Sequence, residues 1–128
     1  MKTAFAPMLV INNGITEIDF YKDAFGAVEL RRFSNDDGTI HVVEMEIDGA
    51  LFHVHEQGTQ RYNLSPETLN GTCVTIGLFV NDVHLVFEKA VKAGAAVISP
   101  IKDYEYGFRQ GELLDPFGHR WQIQKDIR

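Results

Sequence analysis

The sequence predicts an α+β fold in which one unit of strand, helix, strand, strand, strand is used twice. Gly26-Ala27 returns as Gly94-Ala95 after 68 residues, and at that spacing Asn13 falls on Asn81, Ile15 on Val83 and Ile18 on Val86. Each half places an apolar run, an Asn, an amphipathic stripe and a glycine in the same order. Each half also closes on turn residues, Asp48-Gly49 in the first and Asp115-Pro116-Phe117-Gly118 in the second.

The elements follow in order. Met8 to Ile11 is an apolar strand, and Ile15, Ile18 and Tyr21 to Phe25 recur at helical spacing, which predicts a helix from about Thr16 to Phe25. Asn13 or Thr16 suits its N-cap, and Gly26 suits the left-handed residue that ends it. A strand from Val28 to Phe33 precedes a hairpin, Glu44 to Ile47 and Leu51 to His55. A two-residue turn at Asp48-Gly49 fixes its register: Ile47 with Ala50, Glu46 with Leu51, Glu44 with His53 and Val42 with His55. The polar stretch from Glu56 to Thr72 is longer than most connections and serves either as a plain linker or as a lid. The second half repeats the pattern with a strand from Val74 to Val80, an Asp82 N-cap, a helix from Val83 to Ala93, and a strand from Ala96 to Ser99. In its last strand Trp121 and Ile123 face the helix, leaving Arg120, Gln122 and Gln124 on the other side. The expected organisation is one domain over 1–128, with modules at about 4–56 and 73–127 joined by the loop 56–72.

At 128 residues, 45% hydrophobic and 23% charged, the chain has room for one ordinary core. Twelve Lys and Arg against 18 Asp and Glu leave a formal charge of -6, the wrong sign for a surface that holds polyphosphate, so no nucleic-acid partner is expected. A single cysteine, Cys73, forms no internal disulfide, and the first residues lack the apolar run of a signal peptide, which makes the cytoplasm the expected location. No apolar run reaches the roughly 18 residues of a membrane span, so no membrane association is expected either.

Glu44 and His53 are the first candidates for chemistry. As cross-strand neighbours their Cβ atoms lie roughly 5 Å apart, close enough for a carboxylate to hold an imidazole tautomer. Two readings fit: a solvated pair on an outer face, or a functional pair with His55 beside it. His41, His84 and His119 read as structural. Tyr104, Tyr106 and Phe108 recur with period two, which fits buried packing, while the glycines and Arg109 around them equally fit a ligand pocket lined by Tyr106 and Arg109.

The segments Pro7 to Asn12, Ile18 to Ala27, Tyr106-Gly107-Phe108-Arg109 and Asp115 to Trp121 resemble the vicinal oxygen chelate superfamily of glyoxalases, bleomycin-resistance proteins and extradiol dioxygenases, and more narrowly its PhnB-like branch. The resemblance runs almost end to end. It implies two βαβββ modules curled into a mixed-sheet cup with helices outside, and a homodimer, sometimes with modules exchanged. It turns the Glu44 and His53 face inward. It also places the inherited metal ligands at Ala6, His53, Thr75 and Gln122. Ala6 has no donor and Thr75 is a poor ligand for a divalent ion, so only His53 and Gln122 remain, short of the three protein ligands of a catalytic site. No cofactor and no metal by the inherited pattern are therefore expected, a divalent ion at His53 and Gln122 being the residual option.

Two functions compete. One is a small-molecule binder without the metal, in which Tyr106, Arg109, Gln122, His55 and Thr75 contact the ligand and Glu44 favours a cationic or hydrogen-bond-donating guest. The other is a lyase, isomerase or dioxygenase acting on a small oxygen-bearing substrate, with His53 as base oriented by Glu44. The residues leave open whether the protein is an enzyme.

Overall fold

The computed structural model describes residues 1–59 and 62–128. Eight strands and three helices follow one another as β1 (Met8–Ile11), α1 (Asp19–Phe25), β2 (Val28–Ser34), β3 (Ile40–Ile47), β4 (Ala50–Glu56), α2 (Pro66–Leu69), β5 (Thr75–Phe79), α3 (Val83–Lys92), β6 (Ala96–Asp103), β7 (Phe108–Leu114) and β8 (Arg120–Asp126). They form two four-stranded mixed sheets with the same topology, β1-β4-β3-β2 and β5-β8-β7-β6, each with one parallel pair and two antiparallel pairs. The repeat in the sequence is therefore a repeat of sheets. The parallel pair needs a crossover, and the helix between the first two strands of each half provides it.

Local chemistry places most element ends. Asp82 caps α3 by accepting from the Leu85 amide at 3.1 Å, and Val83, Phe87 and Ala90 form its buried stripe. Asp48 and Gly49 both adopt positive φ, 51° and 85°, as the primed hairpin turn requires, and the register is the one the turn implies. The start of α1 departs from expectation. Neither Asn13 nor Thr16 caps it; Ile18 occupies that position, its aliphatic side chain having no acceptor to offer and being fully buried in the core. Gly26 ends α1 in the left-handed region as expected, whereas α3 closes on Ala93 in a right-handed conformation, with Gly94 just after it. Strand β6 runs on to Asp103, past the predicted end at Ser99, through two register shifts around Ser99 and Lys102 that absorb Pro100.

One core serves both sheets. Val43, Met45, Phe52 and Val54 of the first sheet, Leu113, Trp121 and Ile123 of the second, and Tyr21, Phe87 and Ala90 of the helices belong to the same buried cluster, and α1 packs on α3. Trp121 is 4.6 Å from Phe25 and 6.0 Å from Tyr21 between ring centroids, so an α1 side chain touches a strand of the other sheet. Tyr21 completes the join: its hydroxyl donates to Asp115 Oδ2 at 2.6 Å, and Trp121 Nε1 donates to the same oxygen at 3.0 Å. Asp115 Oδ1 accepts from the Phe117 and His119 amides, so the buried carboxylate takes four donors. Burial first, then the charge of Asp115, pushes the Tyr21 phenol well above its usual value and keeps it a donor.

The connection between the halves is anchored. Ser65 is buried, donates to Asn12 at 2.5 Å and caps α2 by accepting from the Thr68 amide, while the Gln57 carbonyl accepts from the Ser65 amide and the Thr68 hydroxyl. Asn12 in turn donates to Glu67. Residues 62–72 are thus strapped to the end of β1. The middle of the expected loop, Gln60 and Arg61, lies outside the described residues.

Candidate functional site

Because one face of each sheet enters the core, alternation turns the other face outward. On the first sheet this open face carries Glu44 from β3, His53 and His55 from β4, and Arg31 and Phe33 from β2. On the second it carries Thr75 and Gly77 from β5, Gln110 and Glu112 from β7, and Gln122 and Gln124 from β8.

Glu44 and His53 are cross-strand partners, as the turn predicts. The hydrogen bond expected between them is not formed. Glu44 instead accepts from Arg31 Nη2 at 2.9 Å, because the neighbouring strand β2 brings Arg31 opposite it. That bond holds the Glu44 carboxyl below its usual range, with smaller contributions from the Arg31 and His53 charges. The position of Arg31 on the third strand could not be read from the hairpin, since a register shift between Glu29 and Arg31 sets it. A free carboxylate for a cationic guest is therefore missing at Glu44.

His53 and His55 lie two apart on β4 with ring planes 17° from parallel and centroids 6.1 Å apart. His55 stands between Val10 and Val42. Burial, then the nearby His53 and His41 charges, lowers its pKa, so the ring is neutral near pH 7. His41 hydrogen-bonds Glu56 at 2.9 Å, and His119 donates from Nε2 to the Val10 carbonyl at 2.7 Å, both structural roles.

On the second sheet Glu112 accepts from Arg120 Nε at 2.9 Å and from Gln122 Nε2 at 3.2 Å, so one side of the Gln122 amide is already used. Tyr106 lies in the β6–β7 turn, half exposed, stacked on Tyr104 at 5.2 Å and receiving the Gln110 amide on its hydroxyl at 2.6 Å. It is thus neither buried packing nor a partner of Arg109. Arg109 points to the face opposite Gln110 and is held by Asp103 at 2.8 Å, because successive β7 residues alternate. Thr75 is exposed on β5 opposite Arg120.

The inherited metal positions can be tested against these donors. The His53 amide bonds the Pro7 carbonyl, which puts Ala6 at the start of this site without a donor atom. Thr75 offers a hydroxyl and Gln122 only a neutral amide oxygen, its Nε2 donating to Glu112. Among the described residues no three His, Cys, Asp or Glu side chains are grouped to hold an ion. This donor set does not fit a catalytic divalent metal.

Gln124 and Gly77 were not singled out by sequence reasoning, although alternation along the last strand already placed Gln124 beside Gln122. Cavities of about 890 and 340 Å³ open where the two sheets meet, and Gly77 borders both. Among the described residues no helix is long and apolar enough to cross a membrane.

Relatives extend these observations. Over its whole length the chain is 37% identical to an uncharacterized protein of Mycobacterium bovis, of which it covers 86%, and equally so to one of Mycobacterium tuberculosis, of which it covers 77%. Among solved structures, a gene product of Arabidopsis thaliana is 30% identical with a TM-score of 0.73, covering 96% of this chain and 98% of its own. TioX of Micromonospora sp. ML1 is 25% identical with a TM-score of 0.71, covering 98% of each. The family model for the glyoxalase/bleomycin resistance protein/dioxygenase superfamily matches residues 8–123, and with two sheets of the same topology behind that match, the chain belongs to this superfamily.

Proposed function

We propose that the protein binds a small molecule on its open sheet faces, does so without the inherited metal set, and forms a homodimer whose second copy closes the site. The observation that carries this reading is the donor set: Ala6 and Thr75 stand where the resemblance calls for ligands, which leaves only His53 and the neutral amide oxygen of Gln122. The open faces also mix apolar and polar groups in the way of binding surfaces, with Phe33, Leu51 and Phe79 all exposed. Support for a second copy comes from surface area. The chain exposes 8050 Å², whereas a compact monomer of this mass exposes about 6,900 Å². The alternative, an enzyme using His53 as base with Glu44 as its orienter, is less supported because the Glu44 carboxylate is bonded to Arg31. The lone Cys73 fits a reducing compartment such as the cytoplasm.

The test combines elemental analysis of protein purified without chelator with thermal shifts over a small-molecule library. The expected result is no stoichiometric zinc, nickel, iron or manganese, together with ligand-induced shifts that survive EDTA. Stoichiometric metal lost in His53→Ala overturns the metal-free reading. Sedimentation is expected to give a dimer at micromolar concentration, and a monomer there overturns the shared site.

A further inference from the structure

The least satisfied polar group on the open faces is the amide of Gln124. Its side chain is only 6% exposed, yet it makes no hydrogen bond to any described residue, and its polar atoms are not sealed from solvent. With solvent reaching it and no protein partner among the described residues, the amide is open to a partner from outside. Directly across the strand pair stands Gln110, 9% exposed, whose Nε2 donates to the Tyr106 hydroxyl and whose Oε1 remains as an acceptor.

Gly77 makes room for this arrangement. It has no positive φ to justify a glycine, but a Cβ there would come within 2.7 Å of Gln124 Nε2. The amide therefore leans over the bare β5 backbone. Aromatic rings line one side, with Phe79 5.9 Å from Phe108 and Phe108 6.0 Å from Tyr106. The nearby carboxylates are already matched, Glu112 by Arg120 and Asp126 by Arg128, as Glu44 is by Arg31 on the other sheet.

We propose that Gln124 and Gln110, with Gly77 beneath them, recognise an uncharged ligand through a carboxamide or lactam edge whose plane lies against the Tyr106 and Phe108 rings. This rests on the reading that the open faces bind a small molecule. A glutamine amide presents a donor and an acceptor side by side, and its full complement is an edge with an acceptor and a donor side by side. A cation supplies only donors and leaves Nε2 unpaired. A carboxylate supplies only acceptors and leaves Oε1 unpaired. The arginines and carboxylates around the pair are matched to one another, and Lys102, opposite Gln110 on β6, lies over the Tyr104 ring.

The experiment is a titration of the ¹⁵N-labelled protein with benzamide, benzamidinium, benzoate and N,N-dimethylbenzamide, which share one ring and differ at the edge. Benzamide is expected to shift the side-chain amide resonances of Gln124 and Gln110 with a dissociation constant on the order of millimolar, as befits a fragment. The other three are expected to bind at least about tenfold more weakly, the loss of about one hydrogen bond. Gln124→Met, which keeps the volume, and Gly77→Ala, which displaces only the flexible end of Gln124, should each weaken benzamide at least about tenfold while the backbone spectrum stays folded. Equal binding of benzamidinium, or full affinity in Gln124→Met, overturns the amide recognition. If the library instead yields ligands that shift the Glu44 and His53 face but not the glutamine amides, this inference falls while the binding function stands. If no compound shifts either open face, both fall.

Discussion

His55 shows how a neutral strand can tune a single residue. Flanked by Val10 and Val42 and close to two other imidazoles, it is desolvated and repelled as a cation, so its folded pKa lies below that of the unfolded chain. The unfolded state then binds the proton more readily, and this stabilising contribution is present above the unfolded pKa of about 6.5 and lost as pH falls through the lower folded value. Imidazole NMR titration should place His55 below the ordinary histidine midpoint. His53→Gln removes a neighbouring charge and should move that midpoint upward; an unchanged midpoint would leave burial and His41 as the causes. Glu44 is the opposite case at this scale. Its cross-strand place beside His53 was legible in the Asp48-Gly49 turn, but its hydrogen-bond partner was not, because Arg31 arrives from a third strand past a register shift. Two-strand reasoning has no access to such a competitor.

At the scale of the element, signals carried by backbone chemistry read true. Asp82 caps α3 where its side chain can reach an amide, and Asp82→Ala should lower stability by about 1 kcal/mol in urea unfolding. An unaltered midpoint would mean that packing of Val83 and Phe87 alone fixes the helix start. The α1 start misled because burial of Ile18 outweighs the cap that Asn13 or Thr16 could supply. Asn12, next to that misjudged cap, instead bonds Ser65 and Glu67 and ties α2 to the end of β1. Asn12→Ala is expected to speed amide exchange in residues 62–72 before it affects the sheets, since it removes the strap and leaves the core intact. Uniform exchange across the chain would show instead that this segment opens only with the whole fold.

For the whole molecule the decisive joint is Asp115. It lies in a turn of the second sheet and takes the Tyr21 hydroxyl from a helix of the first half, together with its own Trp121. Tyr21→Phe removes one of four donors and should cost about 1 kcal/mol, whereas Asp115→Ala strands the buried phenol and indole donors and should cost about 3–5 kcal/mol, both read from denaturant unfolding. Comparable losses in the two variants would contradict this account. The Asp-Pro-Phe-Gly turn was visible in the sequence, but its link to Tyr21 spans 94 residues and has no local signature.

The sequence by itself determined the repeat, the strand and helix order within each half, the hairpin register and the face on which each strand residue lies, because these follow from periods of 2 and 3.6 and from turn chemistry; the short helix α2 in the connection it did not show. It also determined that Ala6 and Thr75 cannot supply strong metal ligands. Only the tertiary structure decided which partners those faces meet: Arg31 for Glu44, Asp103 for Arg109, Glu112 for Gln122, and none among the described residues for Gln124. The physical reason is that periodicity fixes direction within one element, while hydrogen-bond competition is settled between elements brought together from distant parts of the chain.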